Sequence, residues 1–315
     1  MIERYLVTGA QGFVGRYLVR QALSSPSVSV LGIGRSQPNA YAPLPAALRE
    51  RYAYAAADVR DTERLSGAIR RFVPTTIVHL ASGLRDDSPP QLLEVNIAGT
   101  LSLLDAIKCA DVPSPRVLIA SSGGVYGRST RLPLAEDAPC VPVDLYSASK
   151  LAQEHVGRIV GGGRGLSVVI ARLFNLIGPG QDERYACARF ARQLVERSRL
   201  GDSARIDVGD LSPTRDFIDV RDAAWAMLLL ARVRRPGNVY NVASGVETSI
   251  ATLLDLTCAA VGLTQPPAVS RTYHRAADIP RHVADVEKLL AIGYRPRYLL
   301  AQSVRDLVEH FRAAA

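Results

Sequence analysis

The sequence predicts an α/β protein built on a doubly wound parallel sheet, followed by a smaller C-terminal lobe. Two observations lead to this fold class. Apolar runs typical of buried strands alternate with helical periodicity up to about residue 175, and a turn with spaced glycines joins the first strand to the first helix. Such alternation produces right-handed βαβ units, which place helices on both faces of a parallel sheet. Ligands of these sheets bind beyond the carboxyl ends of the strands.

Residues 1–175 supply most elements of this sheet. After the first strand, the runs that read as buried parallel strands are Val28 to Ile33, Ile77 to Leu80, Val117 to Ala120 and Ser167 to Ala171. Helical patterns lie between them at residues 13–23, 61–72, 91–110 and 146–160.

Residues 176–315 have a less regular pattern. Candidate helices cover residues 184–199, 220–232, 249–261 and 302–313. We expect Asp216 to Ile218 and Val239 to Val242 to form a strand pair that extends or flanks the main sheet. Neither an internal repeat nor a low-complexity linker separates the two parts, so we expect them to pack as one unit.

The composition is ordinary for a soluble globular protein, with 48% hydrophobic and 22% charged residues. No run of about 18 uncharged apolar residues occurs, so we expect no membrane span. The chain enters its first strand almost immediately after Met1, which leaves no room for a signal peptide. We therefore expect a cytoplasmic protein.

The charge and the cysteines argue against two further classes. The formal net charge is +8, yet the basic residues are spread along the chain, so a polyanionic small molecule is a better partner than nucleic acid. Cys109, Cys140, Cys187 and Cys258 show no paired spacing, which predicts free thiols rather than disulfides or a zinc site. The histidines are equally scattered, and we expect no metal.

Three glycines with the spacing G-x-x-G-x-x-G connect the first strand to the first helix. Gly9, Gly12 and Gly15 follow the apolar run Tyr5 to Val7. Glycines at such a turn let backbone N–H groups and the positive helix end approach a pyrophosphate. The spacing favours a Rossmann-type nucleotide-binding turn over a bare glycine turn.

Tyr146 and Lys150 are spaced i, i+4 on a predicted helix, so they lie side by side, about 6 Å apart along its axis. An ammonium there favours the phenolate, so we expect the pKa of Tyr146 to lie below its ordinary value of about 10. Such a phenol could transfer protons near neutral pH. Lysine is rare in this arginine-rich chain, which indicates that arginine does not substitute at position 150.

These motifs resemble those of the extended short-chain dehydrogenase/reductases that act on nucleotide-diphosphate sugars. The resemblance covers the whole chain and rests on four features: the start Thr8 to Gly15, the set Ser122, Tyr146 and Lys150, the segment Arg172 to Gln181, and the segment Arg215 to Val220. Within this family, the reductases of GDP-linked 4-keto-6-deoxymannose are the most similar.

The resemblance implies that the two parts of the chain have different functions. Residues 1–175 would form the dinucleotide-binding Rossmann domain and carry the catalytic residues. Residues 176–315 would mainly bind substrate, with some return to the main sheet. The family also implies a homodimer formed through two helices per subunit, with those near residues 91–110 and 146–160 as candidates.

The resemblance places the cofactor at the ends of the first four strands. The implied contacts are Gly9, Gln11, Gly12, Phe13, Val14, Gly15, Arg35, Ser36, Asp58, Val59, Leu80, Ala81, Ser82, Tyr146 and Lys150. At the end of the second strand, Arg35 and Ser36 follow no acid that could bind a ribose 2′-hydroxyl, and a cation with a hydroxyl suits a 2′-phosphate. We therefore expect NADP(H). Alternatively, Arg35 stacks on the adenine ring, as in NAD-using relatives.

The catalytic residues implied by the family are Ser122, Tyr146 and Lys150. A hydroxyl at position 122 can hydrogen-bond the substrate oxygen as negative charge builds on it. The next two positions hold an acidic pair in the family's 4,6-dehydratases, whereas this chain has Gly123 and Gly124. Glycines cannot exchange the protons that elimination of water requires.

Besides Ser122, four residues are expected to contact the nucleotide-sugar substrate. Asn175 either faces the substrate or is structural. Arg192 resembles a basic position that meets the substrate phosphates, and the alternative is an arginine on a solvated helix face. Arg215 and Arg275 could together neutralise a diphosphate through paired hydrogen bonds.

The sequence therefore predicts NADPH-dependent reduction of the C4 keto group of a nucleotide-diphospho-4-keto-6-deoxyhexose, with the GDP-linked sugar favoured. A 4-epimerase is the enzymatic alternative, and it would call for tightly held NAD and an acid near position 34. A non-catalytic NADP(H)-sensing protein is the alternative from another class. Such proteins usually lose the tyrosine or the lysine, and this chain keeps both.

Overall fold

The computed structural model of the protein describes residues 3–35, 44–200, 205–233, 237–263, 269–271 and 279–314. The predicted site residues Ser36 and Arg275 lie outside these ranges. The strands are β1 (Glu3–Thr8), β2 (Val28–Gly34), β3 (Tyr52–Ala56), β4 (Thr76–His79), β5 (Arg116–Ser122), β6 (Ser167–Leu173), β7 (Asn175–Ile177), β8 (Ile206–Val208), β9 (Thr214–Asp219), β10 (Val239–Val242), β11 (Glu247–Ser249), β12 (Val269–Arg271) and β13 (Arg281–His282). The α-helices are α1 (Phe13–Leu23), α2 (Ala46–Arg49), α3 (Thr62–Phe72), α4 (Pro89–Leu93), α5 (Gly99–Ala110), α6 (Leu145–Val156), α7 (Ala186–Leu200), α8 (Val220–Leu230), α9 (Ile250–Val261), α10 (Glu287–Ala291) and α11 (Leu300–Ala314). Short π-helical segments at Glu94–Ala98 and Gly157–Gly161 and a 3₁₀ turn at Gly123–Tyr126 complete the list.

Seven parallel strands form the main sheet in the order β10-β6-β5-β4-β1-β2-β3. β1 therefore lies between β2 and β4, at the point where the strand order reverses. In this fold class such a point marks the ligand crevice. Thr8 at the end of β1 is in register with Ile33 of β2 and His79 of β4, so the carboxyl ends of the central strands meet at one edge. The predicted fold class is confirmed.

Helices cover both faces of the main sheet. On one face, α1 and α8 pack against it through side chains that include Leu18 and Met227. On the other, α3 and α5 pack through side chains that include Leu65 and Leu103. The strands are apolar on both sides because both of their faces are covered.

A smaller lobe stands beyond the carboxyl edge of the sheet and has its own apolar core. Phe190 of α7, Leu253 of α9 and Leu307 of α11 meet in this core. Its sheet is organised around β9, which pairs with β7, β11 and β13.

The second half of the chain also returns to the main sheet. β10 pairs with β6 at the sheet edge, and α8 packs on α1. The predicted pairing between the strands near residues 216–218 and 239–242 is wrong, because β9 belongs to the smaller sheet and β10 to the main one. Both runs are short and apolar, and such a pattern does not specify which partner strand a run will find.

Candidate active site

The glycine turn presents the start of α1 at the carboxyl edge of the sheet. Gly9 has a φ of +68°, and an added Cβ there would lie 2.9 Å from the backbone nitrogen of Ala81. A Cβ at Gly15 would overlap the carbonyl oxygen of Gly9. Gly12 is the exposed N-cap, no side chain caps the helix there, and the first turn, which includes Phe13 and Val14, contains no acid. The first-turn N–H groups can therefore bind an anionic group such as a pyrophosphate.

At the end of β2, the position of a ribose-binding acid is taken by Gly34. An added Cβ at Gly34 would lie 2.8 Å from the hydroxyl oxygen of Tyr54, so this phenol fills the space of the missing side chain. Arg35 follows and is exposed. A cation directly after β2, where Gly34 takes the place of an acid, suits a phosphate group.

Asp58 at the end of β3 is paired with a neighbouring cation. Its carboxylate oxygens accept hydrogen bonds from Nε and Nη2 of Arg60, each at 3.0 Å. These hydrogen bonds lower the pKa of Asp58, and the charge of Arg35 contributes in the same direction. The Asp58 side chain is therefore held by Arg60, while buried Val59 packs behind it against Gly99.

The loop after β4 is tied to α6 by a buried amide. The backbone nitrogens of Leu80 and Ala81 donate to Thr8, which holds the loop beside the glycine turn. Asn96 accepts a hydrogen bond from Ser82 Oγ at 2.9 Å and donates to Ser149 Oγ of α6 at 2.8 Å. Asn96 is fully buried, so its amide links the β4 loop to the helix that carries Tyr146 and Lys150.

Ser122 and Tyr146 meet beyond the end of β5. Ser122 Oγ accepts the backbone N–H of Gly124 at 3.1 Å, and its hydroxyl can still act as a donor to a substrate oxygen. Asp144 caps α6 by accepting the N–H of Ser147 at 2.8 Å, and this cap fixes the helix turn that holds Tyr146. The hydroxyls of Ser122 and Ser82 lie near the phenol of Tyr146 and act to lower its pKa.

The predicted effect of Lys150 on Tyr146 is wrong. Burial raises the pKa of Tyr146 to about 12, and nearby Tyr185 adds to this rise. The Lys150 ammonium has other partners: Nζ donates to the carbonyl of Ala120 at 2.6 Å and to Ser82 Oγ at 3.4 Å. Burial also lowers the pKa of Lys150 to about 7. Helical spacing gave the proximity of the two residues but not the direction or the solvation of their end groups.

Two residues that the sequence did not single out lie beside Tyr146. The guanidinium of Arg85 is 5.3 Å from the centre of the Tyr146 ring, forms an ion pair with Asp144, and lowers the pKa of Tyr146 against the effect of burial. Tyr185, which is 48% exposed, lies close enough to raise that pKa. Arg85 follows the end of β4, and the rule that ligands bind at carboxyl strand ends could have identified it.

An aromatic pair fills the space beside Gly123. The rings of Phe174 and His282 lie 4.8 Å apart at an angle of 30°, and both side chains are buried. An added Cβ at Gly123 would lie 2.9 Å from Phe174 and 3.0 Å from His282. An acidic side chain at position 123 therefore has no room in this site.

A buried ion pair joins α6 to β6. Arg172 of β6 donates to both carboxylate oxygens of Glu154 on α6, at 3.0 and 2.8 Å, and the two side chains are 5% and 2% exposed. Ser121 Oγ donates to the same carboxylate at 2.5 Å. This network joins β5, β6 and α6 next to Ser122.

Of the predicted substrate residues, Asn175 and Arg215 lie in the smaller sheet, and Arg192 lies on an exposed helix face. Asn175 donates to the carbonyl of Asp216 at 3.1 Å, and Arg215 donates to the carbonyls of Thr214 and Ile279 at 2.8 and 2.6 Å. Arg192 is exposed on α7, where it pairs with Glu183 and Glu196. Asn175 of β7 and Arg215 of β9 thus bind backbone carbonyls, whereas the structure favours the alternative of a solvated helix face for Arg192. Arg275 lies outside the described residues.

The part of the chain that the structure describes contains neither a cluster of metal ligands nor a helix that could span a membrane. Its His, Cys, Asp and Glu side chains form no group of three or more that could hold a metal ion. None of its helices combines the length and the apolar character that crossing a membrane requires.

A parallel sheet with a glycine turn after β1, and with Ser122, Tyr146 and Lys150 beyond β5, is the arrangement of an extended short-chain dehydrogenase/reductase. A model of the family described as GDP-mannose 4,6 dehydratase matches residues 6–307. Because the match spans nearly the whole chain, the protein belongs to this family.

Individual relatives differ in the reaction they catalyse. GDP-6-deoxy-D-mannose reductase of Pseudomonas aeruginosa is 32% identical over 99% of this chain and 98% of that enzyme. The solved structure of RMD from Pseudomonas aeruginosa complexed with NADPH has a TM-score of 0.84 at 31% identity, covering 100% of this chain and 99% of that one. UDP-glucose 4-epimerase of Thermus thermophilus in complex with NAD has a TM-score of 0.85 at 30% identity, covering 99% of this chain and 100% of that one. The protein is therefore an enzyme of the type that modifies nucleotide sugars.

Proposed function

We propose that the protein reduces the C4 keto group of a nucleotide-diphospho-4-keto-6-deoxyhexose with NADPH, and that the GDP-linked 4-keto-6-deoxymannose is its preferred substrate. The observation that carries the proposal is the end of β2, where Gly34 replaces an acid and exposed Arg35 follows. A reductase consumes its cofactor in each turnover, so it is suited to NADPH. An epimerase reoxidises a held NAD and gains nothing from a phosphate site.

The residues at the carboxyl edge fit such a cofactor. The uncapped start of α1 can bind the pyrophosphate, Arg35 can pair with a 2′-phosphate, and Lys150 lies buried between β5 and the β4 loop where the nicotinamide ribose would lie. The bound cofactor supplies the hydride that reduces the C4 carbonyl.

The protein side chains handle the proton and the developing charge. Ser122 donates a hydrogen bond to the carbonyl oxygen, keeps its own proton, and stabilises the negative charge that forms there. Tyr146 then gives its phenolic proton to that oxygen, because burial keeps the phenol protonated at neutral pH. The C4 carbonyl thus gains one hydride and one proton and becomes a hydroxyl.

Dehydration is disfavoured by the residues beside Ser122. Eliminating water needs one group to take a proton and another to give one, and Gly123 and Gly124 can do neither. The ring pair of Phe174 and His282 occupies the space that an acid at position 123 would need. The family's name therefore describes a reaction that this site is not built to perform.

A 4-epimerase is the second candidate, and the likeness to the Thermus thermophilus enzyme supports it. Its first step would oxidise a C4 hydroxyl, for which Tyr146 must act as a base. The end of β2, where exposed Arg35 follows Gly34 rather than an acid, suits NADPH better than the held NAD of an epimerase. For this reason we prefer the reductase.

The proposal is tested by supplying GDP-, dTDP- and UDP-linked 4-keto-6-deoxyhexoses in turn with NADPH. We expect the GDP-linked sugar to be reduced fastest, with the product assigned by NMR. Equal rates with all three nucleotides would remove the GDP preference, and no reduction of any would refute the reductase function.

A further inference from the structure

We infer that His282 is a positioning residue for Ser122, and that together with Phe174 it reserves position 123 for glycine. This inference rests on the proposed function only in so far as Ser122 acts on the substrate. His282 belongs to the smaller lobe, and 159 positions separate it from Gly123 in the sequence.

A hydrogen bond connects His282 of the smaller lobe to the turn that follows β5. His282 Nε2 lies 3.0 Å from the carbonyl oxygen of Gly123. A carbonyl oxygen can only accept, so Nε2 carries the proton in this contact. Burial lowers the pKa of His282 to about 4, with the charges of Arg215 and Arg85 acting in the same direction, so the ring is neutral at physiological pH.

The carbonyl that His282 holds belongs to the turn that orients Ser122. Gly123 begins the 3₁₀ turn, and Ser122 is its N-cap through the 3.1 Å contact between Ser122 Oγ and Gly124 N. The carbonyl of Gly123 and the N–H of Gly124 belong to one peptide plane, so fixing that carbonyl also fixes the N–H group that binds Ser122 Oγ. Without this hydrogen bond, the buried carbonyl would lose its partner from the smaller lobe, and the turn could shift.

His282 is held by two contacts, one through its ring and one through its backbone. It stacks on Phe174 at 4.8 Å, and its strand β13 pairs with β9 so that His282 is in register with Arg215. Arg215 also donates to the carbonyl of Ile279, just before β13. His282 thus connects the strand of a proposed substrate contact to the catalytic turn.

The same rings explain why position 123 is glycine. A Cβ there would lie 2.9 Å from Cε2 of Phe174 and 3.0 Å from Cε1 of His282, closer than side-chain atoms normally approach. The backbone at Gly123 does not have a positive φ, so the missing side chain reflects lack of space rather than backbone conformation. Removing the His282 ring would let Phe174 move and make room for a side chain.

The hydrogen bond is tested with His282→Ala and His282→Gln, because the glutamine amide can reach the carbonyl from the position of Nε2. We expect His282→Ala to lower kcat about 10- to 100-fold, because a displaced Ser122 would lose part of the stabilisation that an oxyanion donor provides. The Kd for NADPH should stay unchanged. His282→Gln should recover at least half of the lost activity on a logarithmic scale. His310→Ala, an exposed histidine beside Phe311 on α11, is the control and should change nothing. A normal kcat in His282→Ala, or a glutamine variant no better than alanine, would overturn the positioning role.

The shared space is tested without any substrate, by urea unfolding of Gly123→Ala, His282→Ala and the double variant. We expect Gly123→Ala to lower the urea midpoint of unfolding. The midpoint of the double variant should be higher than the value obtained by adding the decreases of the two single variants, because removing the His282 ring makes room for the added methyl group. Gly162→Ala is the control, because an added Cβ there meets nothing within 4 Å. Strictly additive losses would contradict the shared space. If the unaltered protein reduces no keto sugar, the proposed function fails, and this unfolding experiment still decides the packing of positions 123 and 282.

Discussion

At the residue scale, Tyr146 is the proton donor of the proposed reduction. The hydroxyls of Ser122 and Ser82 lie near its phenol, and burial raises its pKa to about 12. Lys150 does not lower this pKa, because its ammonium is directed to the carbonyl of Ala120. A protonated phenol next to a hydroxyl donor is suited to giving a proton to a ketone oxygen.

Replacing Tyr146 with phenylalanine tests this assignment. We expect Tyr146→Phe to bind NADPH nearly as well as the unaltered protein but to turn over ~10² to 10⁴ times more slowly, the usual value of a positioned general acid. Fluorescence titration with NADPH and steady-state kinetics measure the two effects. Normal turnover in this variant would mean that the proton comes from elsewhere.

The buried Lys150 predicts a pH dependence of stability. Its pKa is about 7 in the folded protein against 10.5 for an ordinary lysine, so the unfolded chain binds the extra proton between these values. Stability relative to Lys150→Met should therefore rise with pH from about 7 to about 10, by on the order of 3 kcal/mol. Urea unfolding of both proteins at several pH values measures this difference. A difference that falls or stays flat over this range would show that Lys150 is charged and well solvated.

Arg35 predicts the choice of cofactor. We expect the unaltered protein to prefer NADPH over NADH by ~1 to 3 kcal/mol, the scale of a charge-assisted hydrogen bond. Arg35→Ala should remove most of that margin by weakening NADPH alone, whereas Arg64→Ala on the exposed face of α3 should leave the ratio unchanged. Comparing kcat/KM for the two cofactors provides the measurement. Equal use of both by the unaltered protein would contradict the role of Arg35.

At the element scale, the position of α6 depends on contacts of residues outside the catalytic set. Glu154 is one helical turn beyond Lys150 and is held by Arg172 of β6 and Ser121 of β5. Asp144 caps the other end of the helix. These contacts fix both ends of the segment that carries Tyr146 and Lys150.

Neutralising Glu154 tests this support. Glu154→Gln leaves the Arg172 charge buried without a counter-charge, so we expect a loss of ~3 to 5 kcal/mol in the free energy of unfolding. Asp182→Asn breaks an ion pair with Arg184 in which both side chains are more than 40% exposed, and it should cost less than ~1 kcal/mol. Urea unfolding of the two variants gives the comparison, and similar losses in both would show that the buried pair is not essential.

Most of the regular elements could be predicted because their residue patterns are local. The predicted helix at residues 13–23 is α1, and the run Val28 to Ile33 is β2 with one further residue. The third strand was expected from the resemblance alone, as a strand ending at Asp58 and Val59, and β3 ends slightly earlier, at Ala56; its three alanines have low β propensity, so its residue pattern is weak. The predicted helix at residues 91–110 begins earlier, at Pro89, and contains a π-helical segment that periodicity does not reveal.

At the scale of the whole molecule, the site combines residues from both halves of the chain. Ser122, Tyr146 and Lys150 could be identified because they belong to motifs within one domain. His282 could not, because the smaller lobe brings it to Gly123 from far along the sequence. The charge state of Tyr146 was also missed, since it depends on burial and on the direction of the Lys150 side chain.

The central claim is that this assembly reduces a 4-keto sugar and does not form one. The most direct measurement follows NADPH absorbance and the sugar products by NMR, with GDP-mannose and then with GDP-4-keto-6-deoxymannose. The structure predicts no reaction with GDP-mannose, and oxidation of one NADPH for each 4-keto sugar converted to a 6-deoxyhexose. A 4-keto product from GDP-mannose, or inversion at C4 without net consumption of NADPH, would contradict the reductase assignment.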